Sequence, residues 1–139
     1  IEAIRTKVGG ELSINARCDV WLRGVGAPEG RVDEALRRAA IYAQSGADGF
    51  FAPGVTAPED IARLTAGTPL PVNLLAVPGL PGAAELERLG VRRLSAGSGL
   101  ASAAYGRAAA LARAFLADGE SEPMMQGGLG WSEMNALMP

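Results

Sequence analysis

RVDEALRRAAIYAQSGADGFFAPG, residues 31–54, decides the fold class. Val32, Ala35, Leu36, Ala39 and Ala43 recur at offsets 0, 3, 4, 7 and 11, which places them on one helix face. Gly46 is a helix stop. ADGFFA (47–52) is then a short run of the kind buried in a sheet, and Pro53-Gly54 closes it. A helix followed at once by a buried strand is one step of an alternating α/β chain.

The same step repeats downstream. Thr56 and Glu59 have capping-box spacing, with Pro58 in the first turn, and Ile61 and Leu64 carry that helix to a stop near Gly67. PVNLLAV (71–77) is a strand candidate ended by Pro78-Gly79. A short helix from Ala83 to Leu89 stops at Gly90, and VRRLSAG (91–97) is a further strand. Leu100 to Ala117 is Ala-rich and reads as helix, ended by Gly119. The tail is loose through Gly127, Gly128 and Gly130, and WSEMNALM (131–138) predicts one last short helix. Upstream, Arg23 to Gly30 is a Gly/Pro loop, LSINARCDV (12–20) holds a strand, and Ile1 to Val8 is helical up to Gly9-Gly10.

The order is therefore one helix, four βα units and a tail. It implies a parallel sheet with helices outside, either a barrel or a doubly wound sheet. A full (β/α)8 barrel takes about 250 residues, so four units in 139 residues correspond to half of one. The expected division is 1–118 for the half-barrel and 119–139 for the tail. The chain starts at Ile1, already inside a helix-like stretch, and reads as a piece of something longer.

Composition narrows the function. Charged residues make up 20% and hydrophobic ones 48%, a globular balance. With a net charge of −2, no basic cluster offers a nucleic-acid footprint, and no apolar run approaches the length of a membrane span. Cys18 is the sole cysteine, which excludes an internal disulfide and fits a reducing cytoplasm. There is no His, so the commonest general base and metal ligand is missing. No carboxylate cluster has metal-ligand spacing.

In SINARCD (13–19), residues two apart share a strand face, so Asn15, Arg17 and Asp19 point one way and Ile14, Ala16 and Cys18 the other. Three polar residues are costly in a closed apolar core but tolerable at the substrate end of a barrel. Arg17 there can grip a carboxylate or phosphate through its planar fork, or form a structural ion pair with a carboxylate elsewhere. Asn73, alone in an apolar strand, needs partners for its amide, either substrate or neighbouring backbone. GSGLAS (97–102) approaches a dinucleotide fingerprint, but the required second strand and acidic residue do not follow, so small-residue packing is the better account. Asp33-Glu34, Glu85 and Glu87 fall on solvated helix faces. Trp131, Met134, Leu137 and Met138 form a small apolar set at helical spacing.

Together these stretches resemble the isocitrate lyase/phosphoenolpyruvate mutase superfamily. SINARCD resembles its fifth-strand motif, Asn-Ala-Arg-Thr-Asp. AAIYAQSGADGFFAPG resembles the segment from helix 5 to strand 6, and PLPVNLLAVPGLPGAAELERLGVRRLSAGSGLASAAYG resembles strands 7 and 8 of a large bacterial branch. The resemblance implies a (β/α)8 barrel, of which this chain would be strands 5–8. It implies lyase or mutase chemistry at C–C or P–C bonds of small 2-oxo acids, with Mg2+ as cofactor bound by residues of the first half. It also implies a homodimer or homotetramer that exchanges terminal helices, which suits the tail. The substrate-binding residues it implies are Arg17, which would hold the substrate carboxylate, with Asn73 and Asn15. No catalytic or metal-binding residue falls in this chain, so the chain alone is expected to be inactive.

The departures are specific. The lyase signature Lys-Lys-Cys-Gly-His is absent. Where mutases carry His and methylisocitrate lyases Glu at the end of strand 6, this chain has Pro53. Cys18 replaces the usual Thr. Two further readings therefore stand beside the enzyme: a non-catalytic 2-oxo acid binding protein, and a half-barrel that pairs with itself through its bare sheet edges.

Overall fold

The computed structural model describes residues 1–138. The fold begins with α1 (Glu2–Val8), followed by β1 (Asn15–Arg17) and a 3-10 turn at Pro28–Gly30. Then come α2 (Arg31–Gln44), β2 (Gly49–Ala52), α3 (Pro58–Gly67), β3 (Val72–Leu75), α4 (Ala83–Arg88) and β4 (Arg93–Ser95). The chain continues through α5 (Gly99–Asp118), α6 (Glu122–Met125) and α7 (Trp131–Ala136). It forms two compact units, Ile1–Gly97 and a second beginning at Ser98. No described helix is long and apolar enough to cross a membrane.

The four strands form one parallel sheet in the order β1-β2-β3-β4. A barrel adds each strand beside the last, and the sequential order of these four parallel strands is consistent with a segment of one.

One face of the sheet carries the core. Cys18, Phe50, Ala52, Val72 and Leu74 pack with Val20, Ala35, Ala39, Ile61, Leu64 and Leu86 in a single cluster. Of the helix face expected for α2, Val32, Ala35 and Ala39 are buried, and Leu36 packs against the cluster as a partly buried side chain. Each large apolar side chain taken fully out of water contributes about 1.5–3 kcal/mol, so this face supplies most of the first unit's cohesion.

Two local expectations are corrected. The Thr56–Glu59 capping box does not form: Ala57 is the N-cap, without a side-chain hydrogen bond. Pro58 fixes the start of α3 one residue later than that box requires, because its locked φ and missing N–H suit the first helical position. The loose tail also contains a short helix, α6, with Pro123 in its first turn. In the second unit α5 runs for 20 residues and ends at Gly119 with φ 76, a left-handed cap. None of its residues is buried. At α7 the Gly130 N–H donates to Glu133 Oε2 at 2.8 Å, closing the first turn.

Candidate functional site: the open face of the sheet

The other face of the sheet is polar. Strand register pairs Arg17 with Phe51, Phe51 with Asn73, and Asn73 with Arg93. In a parallel sheet paired residues share a face, so these four side chains form one row across all four strands. Asn15, Gly49, Leu75 and Ser95 occupy the same face one alternation away. Arg17 and Asn73 thus fall on the same face two strands apart, about 10 Å between their backbones. Asn15 opens β1 and lies nearer the N-terminal edge of the sheet.

Local sequence explains the placement of β1. Asp48, just before β2, accepts the Ile14 N–H at 2.7 Å and pairs with Arg5 of α1. Arg5 also donates through Nε and Nη2 to the Gly46 carbonyl, at 2.9 and 2.7 Å. The Ile14 N–H, and then the Arg5 guanidinium, hold the Asp48 carboxyl below its usual range. Helix α1 is thereby clamped where β1 and β2 begin. Gly49 leaves room for the Asn15 amide: a Cβ there would lie 2.9 Å from Asn15 Oδ1.

Arg17 is half exposed. Its Nε donates to Asp19 Oδ1 at 2.6 Å, and its guanidinium carbon lies 5.9 Å from the Phe51 ring centroid. Both contacts hold the side chain from the side. No described residue accepts from the two terminal nitrogens of Arg17, the pair that grips a carboxylate end-on. The ion pair weighed from the sequence therefore exists, and it engages one edge of the fork.

Asn73 is 2% exposed and is the single buried polar residue of the described core. Its partner is a side chain, not the backbone: Ser95 Oγ donates to Asn73 Oδ1 at 3.0 Å. Asn15, Asn73 and Arg93 line a cleft of about 170 Å³ with Asp48, Gly49 and Pro71. A larger groove of about 580 Å³, between Thr65, Thr68, Arg88 and Arg92, lies at the N-terminal ends of β3 and β4. The smaller cleft also opens toward the N-terminal ends of the strands, whereas Arg17 is the last residue of β1.

Cys18 faces the helices and is 1% exposed, and burial raises its thiol pKa, which keeps it inert. Pro53, at the end of β2, is fully buried. The sequence reading misses Phe51, Arg93 and Ser95. A period-two reading of RLS (93–95) puts Arg93 and Ser95 on one face, but only the register places that face beside Asn73.

The donor set does not suit Mg2+, which takes carboxylate and water oxygens. The carboxylates nearest this face, Asp19 and Asp48, are both paired with arginines, and no group of three or more His, Cys, Asp or Glu could hold a metal among the described residues.

A parallel, sequentially ordered βα array with helices on one face and polar side chains on the other is consistent with a segment of a (β/α)8 barrel. The family model for phosphoenolpyruvate phosphomutase matches residues 1–116, and the chain belongs to that family, within the isocitrate lyase/phosphoenolpyruvate mutase superfamily. Two uncharacterised proteins from Mycobacterium tuberculosis strains are each 45% identical over 114 residues, which is 81% of this chain and 42% of theirs. A Burkholderia cenocepacia structure provisionally assigned as a phosphonomutase is 40% identical, with a TM-score of 0.72, over 81% of this chain and 46% of that one. A second from that organism, provisionally assigned as a lyase/mutase, is 29% identical with a TM-score of 0.82, over 99% and 50%. The phosphoenolpyruvate phosphomutase of Streptomyces platensis subsp. rosaceus shares the fold at 23% identity and a TM-score of 0.65, over 76% and 38%. The chain spans about half the length of the relatives it matches.

Proposed function

We propose that the protein is a lyase, decarboxylase or mutase acting at a C–C or P–C bond of a small 2-oxo (di)carboxylate, with this chain supplying the carboxylate-binding part of the site. The observation that carries this reading is the row Arg17–Phe51–Asn73–Arg93 on the open face, whose polar members are donors toward a ligand. Arg17 grips the substrate carboxylate with its free terminal nitrogens, and the Asn73 amide meets a second oxygen. Family membership supports the reaction class. The Mg2+ that the superfamily resemblance implies finds no ligand set among the described residues.

The test is a screen of oxaloacetate, 2-oxoglutarate and related 2-oxo acids for turnover in the presence of Mg2+, followed by Arg17→Ala. Loss of a charged hydrogen bond is expected to weaken substrate affinity about 10- to 100-fold. Unchanged affinity would remove Arg17 from the site.

A second reading rests on Pro53: where the superfamily resemblance implies a reactive side chain, this chain has a buried proline with no acid–base chemistry. On this reading the protein binds 2-oxo acids without converting them. Steady turnover of any of them excludes it.

A further inference from the structure

We propose that two copies of this chain join edge to edge, β4 of each beside β1 of the other, and close a parallel barrel about a two-fold axis.

The sheet of the first unit has two bare margins. Among the described residues no strand pairs with the outer side of β1 or of β4. Such an edge is a row of open N–H and C=O groups that recruits another strand. Neither NAR (15–17) nor RLS (93–95) contains a proline that would deny a partner its hydrogen bonds. All four strands run parallel, so half a turn about an axis along them sets β4 beside the copy's β1 in the same direction. The same rotation makes both seams at once. Twice four strands is the number at which a parallel βα barrel closes.

Register agrees with this closure. An eight-stranded βα barrel closes with a slip of about eight residues around the circuit, hence about four per copy. A row across the sheet runs from Arg17 through Phe51 and Asn73 to Arg93. Four residues back from Arg17 is Ser13, at the entry to β1, whereas four forward is Trp21, inside the turn that follows it. Arg93 therefore falls opposite the copy's Ser13, and Leu94 opposite its Ile14. An even slip keeps the sides matched. Ser13 alternates with Asn15 and Arg17 on the polar face, and Ile14 with Ala16 on the other.

The side chains at the two margins are complementary. Leu94 is 46% exposed beside an open slot of about 290 Å³ lined by Ala83, Leu86 and Val91. At the other margin Leu12, just ahead of β1, and Ile4 of α1 are exposed as well. Arg92 and Arg93 are exposed and form no ion pair with any described residue, and the same holds for Glu11 ahead of β1. Each seam thus brings apolar side chains together and sets a free carboxylate near two free guanidinium groups. Closure also lets each copy lend its row Arg17–Phe51–Asn73–Arg93 to one shared interior.

The test is sedimentation equilibrium of the full chain, joined to cysteine cross-linking. A dimer is expected at micromolar concentration. Glu11→Lys and Leu94→Lys each set like charges together at both seams and should weaken it at least about tenfold. Both positions are exposed, so the circular dichroism of each variant should match that of the unaltered chain. A Ser13→Cys chain mixed with an Arg93→Cys chain should give a disulfide-linked pair on oxidation, while either alone should not. Cys18 is 1% exposed and does not compete. A chain that stays monomeric at high concentration, or a ladder of open oligomers, would overturn the closure. So would a dimer that ignores Glu11→Lys and leaves the mixed cysteines unlinked, since its contact would lie away from the sheet edges.

Discussion

Leu74 and Asn73 are neighbours in one strand and opposites in surroundings. Leu74 points at the helices and is fully buried among Phe50, Ile61 and Leu64. Asn73 points to the open face and meets Ser95. The same contrast runs through β1, β2 and β3, with Ala16, Cys18, Phe50, Ala52, Val72 and Leu74 on one side and Arg17, Phe51 and Asn73 on the other; in β4, Leu94 is exposed. A soluble sheet covered on both sides would read as continuous apolar runs. Here β1, β2 and β3 give one face to packing against the helices, and their other face carries the polar row. Stability and binding should therefore separate cleanly between adjacent residues.

The largest effect that can break this comparison is on the packed face. Leu74→Ala should lower unfolding free energy by about 2–5 kcal/mol, the usual cost of removing a buried leucine and leaving a cavity. Urea denaturation followed by circular dichroism measures it. On the open face, Arg17→Lys should leave the unfolding free energy within about 0.5 kcal/mol of the original, because an exposed ion pair such as Arg17–Asp19 contributes little. It should nonetheless weaken carboxylate binding, since an ammonium cannot reproduce the planar fork. A large stability loss in Arg17→Lys, or a negligible one in Leu74→Ala, would show that the two faces are not divided as described.

Gly49→Ala sharpens the comparison in the middle of the range. The new methyl would meet Asn15 Oδ1 at 2.9 Å, against a side chain in one direction and the Pro71 carbonyl at 3.6 Å in another. The expected result is a stability loss of about 1–3 kcal/mol, the usual cost of overpacking, with Asn15 displaced from the cleft it shares with Asn73. A crystal structure of the variant with Asn15 unmoved would mean the cleft is softer than its contacts imply.

How much of this was legible in the sequence follows from what each signal encodes. Alternation of apolar runs and helical stripes reports local burial, so β1 to β4 and α1 to α5 could be read directly, as could the side on which Arg17 and Asn15 fall. Strand order is a tertiary fact, and barrel and doubly wound sheets share the same alternation. The family motif around Arg17 carried what periodicity could not. Ser95 stayed invisible because its meaning depends on register: it matters only by standing diagonally across from Asn73, 22 positions away in the chain. The capping box failed for a simpler reason, since spacing permits a cap but Pro58 had already chosen the helix start.

The smallest predicted effect lies on the solvated side of the packed layer. Glu34 on α2 accepts from Arg37 Nε at 2.8 Å and from Arg38 Nε at 2.7 Å. Hydrogen bonds from Arg37 and then Arg38 lower its carboxyl from 4.5 to about 2. A carboxyl depressed in the folded state stabilises above its unfolded value, and that stabilisation is lost as pH falls through the folded one. The contribution of Glu34 should therefore be complete above pH 4.5 and fade between 4.5 and about 2. Because Arg37 is exposed and the Arg38 pair only partly buried, salt should shrink it further. Melting temperatures of the unaltered chain and Glu34→Gln should differ slightly at neutral pH and converge near pH 2, with the gap narrower in 1 M salt. A gap that persists at pH 2 would assign the effect of Glu34 to its packing on α2, and the electrostatics of the helix layer would then play no part in separating the two faces.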